Sequence, residues 1–336
     1  MIKDALKIEQ LNVQIQNQHI LKDFNLSLNQ GDILCLLGPS GCGKTTALKA
    51  IAGLIKTDIG YIELFSNTIK DNQVEVAPEG REMGFIFQDY ALFPHLTVFE
   101  NVAYALKGQK KSEIEKQVHN NLALVQLDQY THRYPHELSG GQQQRTAVAR
   151  ALSNKPKLLL MDEPFSNIDN QVKQNMIKSL RALLKENNIT CIFVTHSKQE
   201  AFSFADKTAI LNNGHIEQVD STEKIFEKPC NEFVATFMEA GNILSQQEIP
   251  AGLTTIPQTQ KEIKYLLKEN GFKVHLERGK GANAKVIDCL YAGHKYLLEV
   301  QVEETKGVLT LEHSEPLTIG REISLTYAHD PVAIPV

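Results

Sequence analysis

Three clusters of residues in this chain have the types and spacing needed to handle a phosphate ester. Gly38-Pro39-Ser40-Gly41-Cys42-Gly43-Lys44-Thr45-Thr46 follows the short apolar run Ile33–Leu37 and precedes Ala47–Ala52. Its glycines allow backbone N–H groups to converge on phosphate oxygens at a helix start. Lys44 supplies a cation for the outer phosphates, and the Thr45 hydroxyl supplies an oxygen for Mg2+. Leu158–Met161 forms a second apolar run that ends in Asp162 and Glu163. A carboxylate there sits at the carboxyl end of a buried strand, where open α/β sheets bind ligands. Asp162 is the candidate Mg2+ partner, and Glu163 the candidate general base for an attacking water.

The third cluster is Leu138-Ser139-Gly140-Gly141-Gln142. Ser139 is placed to cap a helix running to Leu152, with its hydroxyl left free, and Gly140 and Gly141 expose N–H groups at that helix start. This is a second anion-binding device in a chain whose first loop already holds a nucleotide. It makes sense if it closes on the nucleotide of another copy. His196, after the apolar run Cys191–Val194, could contact the γ-phosphate and position Glu163 and water. Gln88, after Phe85–Phe87, offers a neutral amide to Mg2+ or water. His132 and His136 lie four apart, but Tyr134-Pro135 between them opposes one continuous helix and with it a paired metal site.

The elements that must carry these groups are legible in outline. Residues 6–28 alternate apolar and polar side chains, as antiparallel strands do. Ile33–Leu37, Leu158–Met161 and Cys191–Val194 read as strands buried on both faces, with helical stretches between them, which predicts a parallel βαβ core. Residues 90–135 read as mostly helical, with Ser112 and Glu115 as a capping box followed by Ile114, Val118, Leu122 and Val125 at helical spacing. Near residue 240 the texture changes. One helix is expected around Ile263–Lys268. Short alternating runs follow at Phe272–Leu276, Val286–Leu290, Tyr296–Val302, Val308–Leu311 and Ile323–Tyr327.

Length and composition narrow the function classes. At 336 residues two domains are expected. A formal net charge of -5 argues against a nucleic-acid partner. No apolar run approaches the ~20 residues that span a bilayer, so a membrane role would need other subunits. The five cysteines, Cys35, Cys42, Cys191, Cys230 and Cys289, form no C-x-x-C pair and fit a reducing compartment.

Taken together, these motifs resemble the ABC-transporter ATPase subunits over residues 6 to about 240. Leu138–Gln142 matches the family's signature run, Gln88 its Q-loop, Asp169 in Ser166-Asn167-Ile168-Asp169 its D-loop, and His196 its switch histidine. The resemblance implies a P-loop ABC cassette, with a mixed sheet core and a helical subdomain at about 89–155 in a domain spanning 1–240. It also implies a small all-β, OB-like TOBE domain at 241–336, the likeness being carried by about Lys285 to Pro335. It implies ATP and Mg2+ as ligands, with Thr45, Gln88 and Asp162 on the metal and Glu163, His196 and Gln88 as the catalytic set. Ile15 stands where the family often stacks an aromatic ring on adenine. Ser139, Gly140, Gly141, Gln142 and Asp169 would contact the nucleotide of a partner subunit. The implied assembly is a homodimer on transmembrane permease subunits, served indirectly by a periplasmic solute-binding protein and lying at the cytoplasmic face of the inner membrane. Phe87–Val98 resembles ferric-iron, polyamine and sulfate importer ATPases. Arg133–Leu138 and the short C-terminal domain point first to the ferric-iron subgroup.

Overall fold

A computed structural model of the chain describes residues 4–106, 108–166, 168, 170–256 and 263–335. It divides into two compact units, Met1–Thr222 and Glu223–Val336.

The first unit opens with β1 (Asp4–Ile15) and β2 (Gln18–Asn29), a long antiparallel hairpin whose alternation buries Leu6, Ile8, Leu11 and Val13. β3 (Ile33–Leu37) leads through the phosphate loop into α1 (Lys44–Ala52). β4 (Tyr61–Leu64) and β5 (Asn67–Lys70) then complete a four-stranded sheet in the order β2-β1-β4-β5. β6 (Met83–Ile86) precedes three consecutive helices, α2 (Val98–Ala103), α3 (Lys111–Leu124) and α4 (Gly140–Leu152). β7 (Leu158–Asp162), α5 (Asn170–Glu186), β8 (Thr190–Thr195), α6 (Lys198–Phe204), β9 (Lys207–Asn212) and β10 (His215–Asp220) follow.

The main sheet runs β10-β9-β3-β8-β7-β6, with only the β9–β10 pair antiparallel. β3, β7 and β8 are buried along their whole length, as strands covered on both faces must be. Their carboxyl ends therefore emerge side by side and carry Gly38, Asp162–Glu163 and His196. Arg81, only 2% exposed, donates to the carbonyls of Ala50, Ile51 and Val76 and so satisfies the C-terminal end of α1.

Ser112 and Glu115 do not form the expected capping box. α3 starts at Lys111, with Lys110 as its extended preceding residue and no side-chain cap. A cap is a local preference of about 1 kcal/mol, and the hydrogen bonds from Glu113 and Ile114 N–H to Lys110 O outweigh it. Val118 and Leu122 are buried as the helical spacing predicts.

The second unit begins within α7 (Thr222–Glu227) and contains α8 (Glu232–Met238), β11 (Asn242–Ser245), β12 (Ile263–Leu267) and β13 (Phe272–His275). β14 (Ala282–Tyr291), β15 (Tyr296–Val302), β16 (Val308–His313), β17 (Glu322–Tyr327) and β18 (Val332–Pro335) complete it. Its sheets run β11-β12-β18 and β13-β17-β14-β15-β16. The helix expected around Ile263–Lys268 is instead the central strand β12, with Tyr265, Leu266 and Leu267 buried. A short apolar run fits either state, and here pairing with two distant strands decides it. Lys264 reaches back to both carboxylate oxygens of Glu232 at 2.7 Å, tying α8 to this sheet.

Among the described residues, no helix is long and apolar enough to cross a membrane.

Candidate active site

The phosphate loop takes its shape from two glycines. A Cβ at Gly38 would lie 2.2 Å from the carbonyl oxygen of Leu211, so only glycine lets β3 turn beside β9. Gly43 has φ 107° and precedes α1 directly, which leaves the first N–H groups of that helix facing the loop. Lys44 is buried, and its Nζ donates 2.8 Å bonds to the carbonyls of Gly38 and Pro39. The Cys42 thiol packs inside the loop. Burial pushes its pKa up, with the Lys44 charge pulling the other way.

Across the loop, the Thr45 hydroxyl donates to Asp162 Oδ1 at 2.9 Å. Asp162 is 7% exposed; burial raises its pKa, opposed by the Thr45 hydrogen bond and the Lys49 charge. A hydroxyl and a carboxylate oxygen at this separation form an all-oxygen donor pair suited to Mg2+.

Glu163 directly follows β7 with φ 45°, a left-handed conformation that costs a non-glycine residue about 1–2 kcal/mol. Its backbone N–H donates to Val194 O, and Ser166 donates to its carbonyl from both N–H and hydroxyl. The turn aims the carboxylate between two partners. Gln88 Nε2 donates to Oε2 at 3.1 Å, and His196 Nδ1 lies 3.4 Å from Oε1. Two cavities of about 310 Å3 each meet here. One is lined by Ser40, Gly41, Lys44 and Thr45, the other by Lys173, Thr195 and Glu200, and both include Glu163 and His196.

The second cavity exposes a network that has no local motif to announce it. Thr195 Oγ1 donates to Glu200 Oε2 at 2.5 Å, Ser197 N–H donates to Thr195 Oγ1, and Lys173 pairs with Glu200 Oε1 at 3.0 Å. These bonds fix the chain on both sides of His196. The partners come from β8, α5 and α6, so only the fold unites them.

The other expected residues fall elsewhere. Ile15 is at the end of β1 and 42% exposed, and it does not line the phosphate cavity; Ile20 of β2 does. Ser139 caps α4 as expected, in a reciprocal box. Its N–H donates to Gln142 Oε1, and its hydroxyl, expected to be free, accepts from Gln142 N–H at 3.4 Å. As an acceptor it keeps its own proton for another partner. Ser139, Gly140, Gly141 and Gln142 line neither cavity. Asp169 and Asn167 lie outside the described residues.

Residues 21–166 match the family model described as ABC transporter. The spermidine/putrescine import ATP-binding protein PotA of Legionella pneumophila (strain Lens) is 37% identical over 329 residues, covering 91% of this chain and 89% of the relative. The chain belongs to the importer-type ATP-binding subunits of ABC transporters. It is an ABC ATPase by membership. The protein of the same name from Photobacterium profundum is 44% identical over 243 residues, and that match spans 72% of this chain and 64% of the relative. Among solved structures, a dimer of the ATP-binding cassette MJ0796 in a post-hydrolysis state with ADP and Pi matches with TM-score 0.56. The identity there is 29%, over 65% of this chain and 98% of that one. The ABC cassette fold is therefore established for the first unit.

Proposed function

We propose that this ATPase powers the import of a polyamine of the spermidine/putrescine class, working as a homodimer beneath permease subunits on the cytoplasmic face of the membrane. The observation that carries the catalytic part is Glu163, held between Gln88 and His196 where the two cavities meet. In this reading Glu163 accepts the proton of the attacking water, and His196 and Gln88 keep the carboxylate in register. Lys44 exchanges its bonds to Gly38 and Pro39 for phosphate oxygens. Thr45 and Asp162, with Gln88, hold Mg2+, which when bound neutralises phosphate charge. Ile15 keeps the role of adenine neighbour that the resemblance implies, and Ser139 through Gln142, with Asp169, complete the partner's site.

The choice of cargo rests on the names of the relatives, both of which specify spermidine and putrescine. This displaces the ferric-iron expectation raised by Arg133–Leu138. Those residues belong to the ATPase, where no cargo is bound, so they are a weak guide to what crosses the membrane. The C-terminal strands, likened above to a TOBE domain, are read as an accessory module of the same subunit. The test is solute uptake in cells depleted of this chain and complemented with the wild type or Glu163→Gln. Spermidine or putrescine uptake restored only by the wild type is expected. Restored ferric-iron uptake with unchanged polyamine uptake would overturn the choice of cargo.

A further inference from the structure

With 64% of its side chain exposed, the His196 ring takes its position from the backbone that carries it. Its Nδ1 lies 3.4 Å from Glu163 Oε1, the long edge of hydrogen-bond reach, so a small backbone shift breaks the contact. One carboxylate fixes the backbone on either side. Glu200 Oε2 accepts from the Thr195 hydroxyl at 2.5 Å, and that hydroxyl accepts from Ser197 N–H at 3.0 Å. Ser197 Oγ in turn caps α6 by accepting from Glu200 N–H at 3.3 Å. Glu200 is only 5% exposed, and burying a carboxylate without a partner cation is costly. Lys173 Nζ, 3.0 Å from Oε1, is the one cation paired with it among the described residues. Neither Lys173 nor Glu200 lines the phosphate cavity. Apolar side chains of similar volume often match the stability of a buried ion pair, so stability alone gives this pair little purpose.

We propose that Lys173 and Glu200 are positioning residues for ATP hydrolysis, acting through His196. The Lys173 ammonium holds Glu200 where its other oxygen meets the Thr195 hydroxyl. Thr195 and Ser197 then fix the backbone of His196, and with it the reach of the imidazole to Glu163. Lys173 stands near the start of α5, Glu200 in the first turn of α6 and Thr195 at the end of β8. One ion pair therefore sets three elements against each other beside the catalytic carboxylate. Without the pair, a nucleotide still finds Lys44 and Thr45 unchanged, so the loss falls on turnover rather than on binding. The inference deepens the proposed function and rests on the roles given there to Glu163 and His196.

The test measures ATP binding, melting temperature and steady-state hydrolysis on the full chain. The double variant Lys173→Met with Glu200→Met replaces both charges by apolar side chains of similar volume and leaves no buried charge unpaired. It should melt near the wild-type temperature and bind ATP with unchanged affinity. Its turnover should nevertheless fall roughly tenfold or more, the worth of one hydrogen bond to a charged group. Lys173→Met alone should show the same split between binding and turnover, and Lys173→Arg, which keeps the cation, should recover most of the lost turnover. In a His196→Ala chain the double replacement should slow turnover no further, because the residue through which it acts is gone. Wild-type turnover in the double variant would overturn the proposal. So would an ATP-binding loss as large as the loss of turnover, no recovery in Lys173→Arg, or a full further loss on top of His196→Ala. A His196→Ala chain that hydrolyses ATP at the wild-type rate would instead remove the role given to His196, and the proposal would fall with it.

Discussion

Arg150 of α4 holds the carbonyl of Tyr90 at 2.8 Å through one guanidinium nitrogen, and the carbonyl of Ala91 at 2.6 Å through the other. Tyr90 and Ala91 have φ of 62° and 44°, two successive left-handed residues without a glycine. Such a turn persists only where the surroundings enforce it. Arg150 supplies that enforcement and also lies over the Phe93 ring at 5.7 Å. Burial lowers its pKa, opposed by the Asp89 charge. The turn begins two residues after Gln88, which bonds Glu163. The helix that opens at Ser139 is thereby anchored to the segment that carries Gln88.

Replacing Arg150 by lysine keeps the charge but removes the fork that spans two carbonyls. Charged hydrogen bonds are worth about 1.5–3 kcal/mol, so the Tyr90 amide, now bonded to Phe87 O, should exchange with solvent roughly 10-fold faster or more in Arg150→Lys. Hydrogen exchange read residue by residue checks this. Unchanged exchange at Tyr90 would mean that the turn stands without the arginine.

Glu163→Gln keeps the size of the side chain but removes its proton-accepting charge. ATP binding should survive, because Lys44 and the loop N–H groups are untouched. Steady-state hydrolysis should fall by roughly 10²–10⁴-fold, the range of a general-base contribution. Near-normal turnover in an ATPase assay would remove Glu163 from that role.

How much of this was legible in the sequence depends on how local each device is. The loop from Gly38 to Thr46 and the cap at Ser139 are each built within a few consecutive residues; the loop leads into α1 and Ser139 caps α4 where expected, although its hydroxyl accepts from Gln142 rather than standing free. The capping box at Ser112 was equally local and failed, because α3 gained hydrogen bonds by starting two residues earlier, with Lys110 rather than Ser112 before its first turn. Tyr265–Leu267 could not be assigned from its own residues, since β11 and β18 decide that it is a strand. The network of Lys173, Thr195 and Glu200 and the link from Arg150 to Tyr90 were invisible. They join segments up to 60 residues apart, and no periodicity marks either one.

Asp162 sets function against stability. Burial raises its folded-state pKa above the unfolded value. The protonated form therefore favours the folded state at acid pH, and that advantage is lost as pH rises through the folded pKa. At neutral pH without nucleotide or metal, Asp162→Asn should melt at or above the wild-type temperature, and the difference should vanish near pH 4, about the ordinary aspartate pKa. Mg2+-dependent ATP binding should weaken by at least roughly tenfold. Paired thermal melts and nucleotide titrations check both halves. A variant that is less stable at neutral pH would show that the Asp162–Thr45 bond outweighs the burial.

Ser139→Arg and Lys44→Ala test whether each nucleotide is held by two copies of the chain. Neither variant alone should hydrolyse ATP, since one lacks the proposed partner contact and the other the phosphate-binding cation. In a symmetric dimer built head to tail, a mixed pair places both lesions in one site and leaves the other site intact. Equal mixing makes half of the dimers mixed, each with one working site, so about a quarter of wild-type activity should return if the sites act independently. Ser139→Arg alone should still bind ATP, because Ser139 lines neither cavity of its own chain. Activity that stays at zero after mixing, with subunit exchange verified, would rule out independent shared sites. Loss of ATP binding by Ser139→Arg alone would place that residue on its own chain's nucleotide.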